Sequence, residues 1–281
     1  MEEQKKVGMS KRRAVIYTFV LTILGLIAFS ILLDFLYPLE SSEDSYYGYD
    51  DSIENCNVTY IDLFGYLSSY DLEMEEGMIV TSSDYVANLI LSIMEEGDEL
   101  GLLLIIDSYG GDVITGEEIA DALKEIDIPT VALIKTAGVS SAYWAATGAD
   151  KIFASRLSEV GGIGVTASYI DESEALTREG YRLEELSSAK YKDVGDPAKE
   201  LSDEEREMIL DQLKTMHDIF VESVAENRGM SVDDVSKLAT GATYLGEEAL
   251  EYGLIDEIGG TIEATRYFKE ILGEDIYLCG Y

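Results

Sequence analysis

Two stretches of this chain end an apolar run in residues that can do chemistry. Leu102-Leu103-Leu104-Ile105-Ile106 gives way to Asp107-Ser108-Tyr109-Gly110-Gly111-Asp112. Thr130 to Ile134 gives way to Lys135-Thr136-Ala137-Gly138-Val139-Ser140-Ser141-Ala142. Each time a buried strand runs out into glycine and serine, and a helical segment follows. In open α/β sheets, ligands bind at the carboxyl ends of strands. Two such ends, side by side in a parallel sheet, can bring backbone N–H groups and one serine hydroxyl to a single point. That is the equipment of a serine hydrolase, and Ser140 is the serine so placed.

A serine hydroxyl needs a base. The only histidine, His217, falls in mid-helix beside Met216 and three residues before Phe220, which reads as a structural position. Lysine can take the role if its pKa falls from about 10.4 to about 7, a differential stabilisation of roughly 4–5 kcal/mol, and burial supplies shifts of that size. An acidic surface favours the ammonium, so burial or salt screening must win locally. The candidate is Lys192, in Lys190-Tyr191-Lys192-Asp193-Val194-Gly195; composition alone reads the same lysines as residues of a solvated loop. The sequence has no cysteine–histidine context and no cluster with metal-ligand spacing. Gly161-Gly162-Ile163-Gly164-Val165 does not have the G-x-G-x-x-G spacing of a dinucleotide site. No metal and no cofactor is expected.

The elements that must position these residues follow from pattern. Val58 to Tyr66 reads as a first strand, and Leu102–Ile106 and Thr130–Ile134 as central strands apolar on both faces. Lys151–Ala154 is a further strand, and Gly161–Val165 a tight turn leading into another. Helices are expected over Asp84–Glu96 (capped by Ser82 or Ser83), Val113–Ile126 (broken by Pro129), Ser140–Gly148, Ser231–Leu238, Gly246–Tyr252 and Thr261–Leu272. Ser202–Asn227 is a long amphipathic helix that opens as a capping box, with Ser202 and Glu205 three residues apart. Its apolar stripe is Ile209, Leu213, Met216, Ile219, Phe220 and Val224. Strands alternating with helices imply an α/β fold with a mostly parallel sheet.

The ends of the chain carry a different message. Lys5, Lys6, Lys11, Arg12 and Arg13 outweigh Glu2 and Glu3 in residues 1–13, and Ala14 to Leu33 is twenty residues without a charge. That length spans a bilayer core, and no A-x-A-like cleavage site precedes Pro38. Residues 14–37 are therefore expected to anchor the chain in the cell membrane as a single pass. The basic N-terminus would be cytoplasmic and everything beyond Tyr37 outside. Residues 38–57 read as an acidic linker, and 58–281 as the catalytic domain. The formal net charge is −36, from 56 acidic and 20 basic residues. Phosphate binding needs basic patches, so nucleic acid is excluded as a partner. The acidity reads either as a solvated surface or as adaptation to high salt, where screening shortens to about 3 Å at 1 M. Cys56 and Cys279 could pair outside the cell or stay free thiols, and Asn57-Val58-Thr59 is a glycosylation sequon.

The four motifs, in order, resemble the signal peptide peptidase A (SppA) family. Asp107-Ser108-Tyr109-Gly110-Gly111 is similar to its D-S-P-G-G, and Ser140 to Ala154 to its S-G-G-Y-Y…A-D-K-I-F-A segment. Gly161 to Val165 is similar to its T-G-S-I-G-V turn, and Lys190 to Val194 to its K-x-K-D-I stretch. The resemblance runs from about Val58 to Leu272. It implies a ClpP/crotonase-like fold and a serine endopeptidase with Ser140 as nucleophile and Lys192, 52 positions on, as general base. It also implies an oxyanion hole from the N–H groups of Gly110 or Gly111 and Ser141, and a homo-oligomer in which the lysine reaches a neighbouring subunit's serine. Substrates would be apolar peptides such as cleaved signal peptides. The alternatives are a peptidase specific for one membrane protein and a catalytically impaired scaffold. A crotonase-type acyl-CoA enzyme is disfavoured, because so acidic a domain is a poor home for a polyanionic cofactor. The chain departs from the family pattern at Tyr109 (for proline), at Ser141-Ala142 (for Gly-Gly), and at Gly162. The last stands where the family has the serine that orients its lysine.

Overall fold

The computed structural model of the protein describes residues 21–23, 25, 29, 56–70 and 79–280. Contacts divide the chain into two units, residues 1–48 and 49–281. The described residues of the first are helical. Most of the apolar stretch 14–33, and with it the expected anchor, lies outside the described residues. Among those described, no helix is long and apolar enough to cross a membrane.

The second unit contains nine strands and eight helices among its described residues. In chain order these are β1 (Val58–Ser68), β2 (Val80–Ser82), α1 (Ser83–Glu96), β3 (Gly101–Gly111), α2 (Val113–Glu125), β4 (Thr130–Val139), α3 (Ser141–Thr147), β5 (Lys151–Ala154) and β6 (Glu159–Gly161). There follow α4 (Ser173–Arg178), α5 (Asp203–Arg228), α6 (Val232–Leu238), β7 (Thr243–Leu245), α7 (Gly246–Glu251), β8 (Glu257–Ile258), α8 (Thr261–Leu272) and β9 (Leu278–Gly280). The sheet order is β2-β1-β3-β4-β5-β8, all parallel. β9 pairs with the start of β1, β6 with the end of β4, and β7 runs antiparallel to β6. The expected α/β class with a parallel sheet is thus observed.

The central strands are apolar on both faces because helices cover both. On one face Leu102, Leu104 and Ile106 meet Ile90 and Ile93 of α1, Ile119 and Leu123 of α2, and Ala142 and Tyr143 of α3. On the other, Phe268 of α8 lies against Gly101 and Tyr267 against Phe153. At about 25 cal/mol per Å² of apolar surface removed from water, these large side chains supply most of the stabilisation. Ser82 is the cap of α1, accepting from the Tyr85 N–H, and the capping box of Ser202 and Glu205 is present at α5.

Three features differ from expectation. β3 runs on from Ile106 to Gly111 because Tyr66 and Leu67 of β1 continue to pair with Gly110 and Gly111. Gly161–Val165 does not lead into a strand; it follows one, and no strand is assigned over 162–172, where the chain leaves the sheet. The stripe of α5 is buried only from Phe220 onward. Met216 and Ile219 stand 43% and 42% exposed, because the first half of the helix extends past the core.

Cys56 and Cys279 form a disulfide with Cα atoms 5.9 Å apart, joining the segment before β1 to β9. Asn57 supports the same corner: its amide donates to Asp275 O and accepts from the Tyr277 N–H. Both ends of the sequon side chain are therefore engaged in holding the C-terminal segment.

One carboxylate sits badly. Asp62, in the middle of β1, has a buried Oδ1 with no partner, and burial pushes its carboxyl up to about 6. In the unfolded chain it ionises near 3.9, so the folded state holds the extra proton in between. The penalty is absent below about pH 4 and grows as pH rises through about 6. Asp62→Asn is therefore expected to raise the melting temperature at pH 7.5 and leave it unchanged at pH 3.5. Equal shifts at the two pH values in a thermal melt would contradict this.

Candidate active site

The carboxyl ends of β3 and β4 meet as two glycine-bearing turns. Asp107 ties them together: its carboxylate accepts from the Thr136 hydroxyl (3.0 Å) and the Ala137 N–H (3.1 Å), bridging the point where the β3–β4 register shifts. The Ser108 hydroxyl donates to Gly65 O and accepts from the Gly110 N–H at 3.0 Å. Gly110 has φ +94°, and a Cβ there would lie 2.9 Å from the Cβ of Ser140. Only glycine lets the β3 turn come this close to the serine.

Ser140 occupies the junction of β4 and α3 with φ 58° and ψ −129°; it is the one non-glycine residue with positive φ among those described. Such a conformation costs about 1–3 kcal/mol and persists only where the surroundings enforce it. Here they do: its N–H donates to Gly161 O at 2.8 Å, and its carbonyl accepts from the Trp144 N–H at 3.0 Å. The sharp strand-to-helix turn lifts the side chain to the mouth of a cavity of about 520 Å³, lined in part by Ser140, Gly162, Thr166, His217, Thr240 and Gly241.

The expected oxyanion donors lie beside Ser140, with two of the three N–H groups engaged. The Gly110 N–H donates to Ser108, and the Gly111 N–H donates to the Ser141 hydroxyl at 2.9 Å. The Ser141 N–H belongs to the first turn of α3, where no intrahelical acceptor exists. Gly162 has φ +61°, and a Cβ on it would stand 2.5 Å from Cγ1 of Val139. A side chain at that position would need Val139 to shift and would have to adopt a strained backbone.

Lys192 is not among the residues lining the Ser140 cavity. It is exposed, in a segment from 166 to 200 that is itself mostly exposed. Its two lysine neighbours are committed. Lys190 pairs with Glu204 and sits over the Tyr191 ring, while Lys199 bonds Glu205 at 2.7 Å and Asp193 at 3.3 Å. Lys199 and the N-cap hydrogen bonds of Ser202 hold the Glu205 carboxyl down at about 2. Among the described residues the Lys192 ammonium has no partner. One chain therefore presents the nucleophile and the lysine in different places.

His217 is the residue sequence reasoning passed over. The register that brings it to Ser140 is visible in two contacts between α3 and α5. Trp144 stacks on Phe220 (centroids 4.5 Å apart, planes 10° apart), and the Asn227 amide donates to the Thr147 hydroxyl at 3.0 Å. The two helices thus run side by side in the same direction. His217, one turn before Phe220, falls at the level of Ser140, one turn before Trp144.

A strained serine at a strand-to-helix turn, beside a glycine-tipped parallel strand, defines a nucleophile-bearing α/β fold. The chain belongs to peptidase family S49, whose sequence model matches residues 122–273, a range that includes Ser140 and Lys192. A protein of Methanocaldococcus jannaschii named for a protease function is 31% identical over 189 residues, 66% of this chain and 61% of the relative. A protein of Enterococcus faecium bearing the name signal peptide peptidase SppA is 34% identical over 181 residues, 63% of this chain and 53% of the relative. The aligned region thus spans only about half to three fifths of these relatives' length. Among solved structures, a mutant of the 1510-N membrane-bound stomatin-specific protease superposes with a TM-score of 0.52. The identity is 14%, over 81% of this chain and 98% of that one, a likeness of fold. The resemblance to the SppA family is borne out.

Proposed function

We propose that this protein is a membrane-anchored serine endopeptidase that cleaves apolar peptides such as spent signal peptides outside the cytoplasm. The observation that carries this reading is the enforced backbone of Ser140 at the mouth of its cavity. In the proposed reaction the Ser140 Oγ attacks the scissile carbonyl carbon while Lys192 takes the hydroxyl proton. The new C–O bond forms, the oxyanion rests on the Ser141 and Gly111 N–H groups, and Lys192 returns the proton to the leaving amine as the C–N bond breaks. Water then hydrolyses the acyl-enzyme by the same route.

Lys192 comes from a neighbouring copy of the chain. A solvated ammonium is no base, and the 166–200 segment carries apolar side chains with no cover in one chain: Ile170 is 76% and Leu186 90% exposed. Together with the uncovered first half of α5, they offer a second copy a surface to bury, and burial there would dry the lysine. The Cys56–Cys279 disulfide fits an oxidising compartment, and the uncharged stretch Ala14–Leu33 fits an anchor that leaves residues 49–281 on that side.

The test is covalent. A fluorophosphonate probe is expected to label Ser140, located by peptide mass spectrometry, and no other serine. An unlabelled protein that is folded and oligomeric would favour the scaffold reading, which the glycine at 162 and the occupied Gly111 N–H support.

A further inference from the structure

We propose that His217 orients the catalytic lysine, replacing the hydroxyl that glycine at 162 cannot supply. This rests on the peptidase reading above, with Lys192 entering the Ser140 cavity from a neighbouring chain. A neutral amine can take a proton from Ser140 only if its lone pair faces the hydroxyl. Its own N–H groups must then be held by an acceptor elsewhere on the wall. Gly162 offers no side chain, and one added there would meet Val139. Among the described residues lining the cavity, the side chains that can accept are those of Ser140, Thr166, His217 and Thr240. Ser140 is the reacting group. Thr240 already accepts from the Ala242 N–H through its hydroxyl, at 3.4 Å, and Thr166 is exposed. His217 is half-buried and is held at the level of Ser140 by the Trp144–Phe220 stack.

An imidazole acceptor differs from a hydroxyl in one respect: it can be switched off. Protonated at both nitrogens it has no lone pair, and it then meets the lysine as a like charge. Among the described residues no other charged side chain lines the cavity, and on α5 itself the nearest charges, Lys214 and Asp218, pair with each other. Turnover therefore requires the imidazole, as well as the lysine amine, to be free of its extra proton.

His217 is the only histidine in the chain, so its imidazole Cε1–H gives one unambiguous NMR resonance. Full fluorophosphonate labelling of Ser140 is expected to shift that resonance. In kinetics, the acid limb of kcat/KM in the wild type should have a slope near two. His217→Gln, which keeps an acceptor that does not titrate, should reduce that slope to one while retaining most of the activity at pH 8.5. His217→Ala should lower kcat about ten- to a hundredfold with KM little changed, the cost of a misaimed base. A resonance unmoved by complete labelling, or a His217→Gln profile superimposable on the wild type, would overturn the proposal. If Ser140 takes no label at all, the peptidase reading itself falls and this proposal with it.

Discussion

Ser140→Ala and Lys192→Ala variants, each inactive when assembled alone, are expected to regain peptidase activity when mixed. Removing either member of a nucleophile–base pair costs at least about 10³-fold, since the two act as one unit. Recovery follows from where the structure puts them. Ser140 is fixed on the sheet by Gly161 and Trp144, whereas Lys192 is exposed and absent from the Ser140 cavity. If the lysine is delivered across a head-to-tail interface, a mixed assembly juxtaposes the intact serine of one variant with the intact lysine of the other. With equal amounts and random exchange, about a quarter of the sites are complete. The mixture should therefore reach roughly a quarter of wild-type kcat with an unchanged KM. Continued inactivity, with subunit exchange verified by mixing two differently tagged chains, would place serine and lysine in the same chain. Substantial activity in Lys192→Ala alone would remove the lysine from the mechanism.

The second large effect concerns the corner opposite the site. β9 is three residues long and holds to β1 through Val58↔Leu278, Thr59↔Cys279 and Tyr60↔Gly280. The disulfide closes a loop spanning 223 positions around this pairing. Restricting the unfolded chain in this way is worth typically about 2–4 kcal/mol, or about 4–15 °C in melting temperature for a domain of this size. The Cys56→Ser/Cys279→Ser double variant should melt lower by that margin, and reductant should lower the wild type to match. Activity at 20 °C should be preserved, because the bridge lies at the amino end of β1 and Ser140 faces the carboxyl ends. Two titratable thiols in the native, unreduced protein, or a melting curve indifferent to reductant, would contradict the pairing.

The parts of this molecule visible in its sequence are those whose cause is local. Leu102–Ile106 and Thr130–Ile134 read as central strands because burial on both faces leaves no polar alternation. α5 announces its start through Ser202 and Glu205, and α8 forms over Thr261–Leu272, the residues whose pattern predicts it. Ser140 was legible because a strand ending in small residues before a helix allows a sharp turn. Strands β6, β7, β8 and β9, two or three residues each, exist only because tertiary neighbours complete them; Glu159 is in a strand because Ala137 and Leu245 lie on either side of it. The position of His217 was hidden for the same reason. Its place beside Ser140 depends on how α5 is set against α3, and a helical repeat fixes a face without fixing a height.

The contact between the Ser141 hydroxyl and the Gly111 N–H has a bearing on the resting enzyme. If the Gly111 and Ser141 N–H groups receive the oxyanion as proposed, that hydroxyl oxygen holds the place of the substrate's own, and it leaves by rotation about a single bond. On that reading the centre is latched at rest. A peptide must carry enough binding energy along its length to throw the latch before its carbonyl can be polarised. On the proposed peptidase reading, short or loosely held chains would pass through uncut.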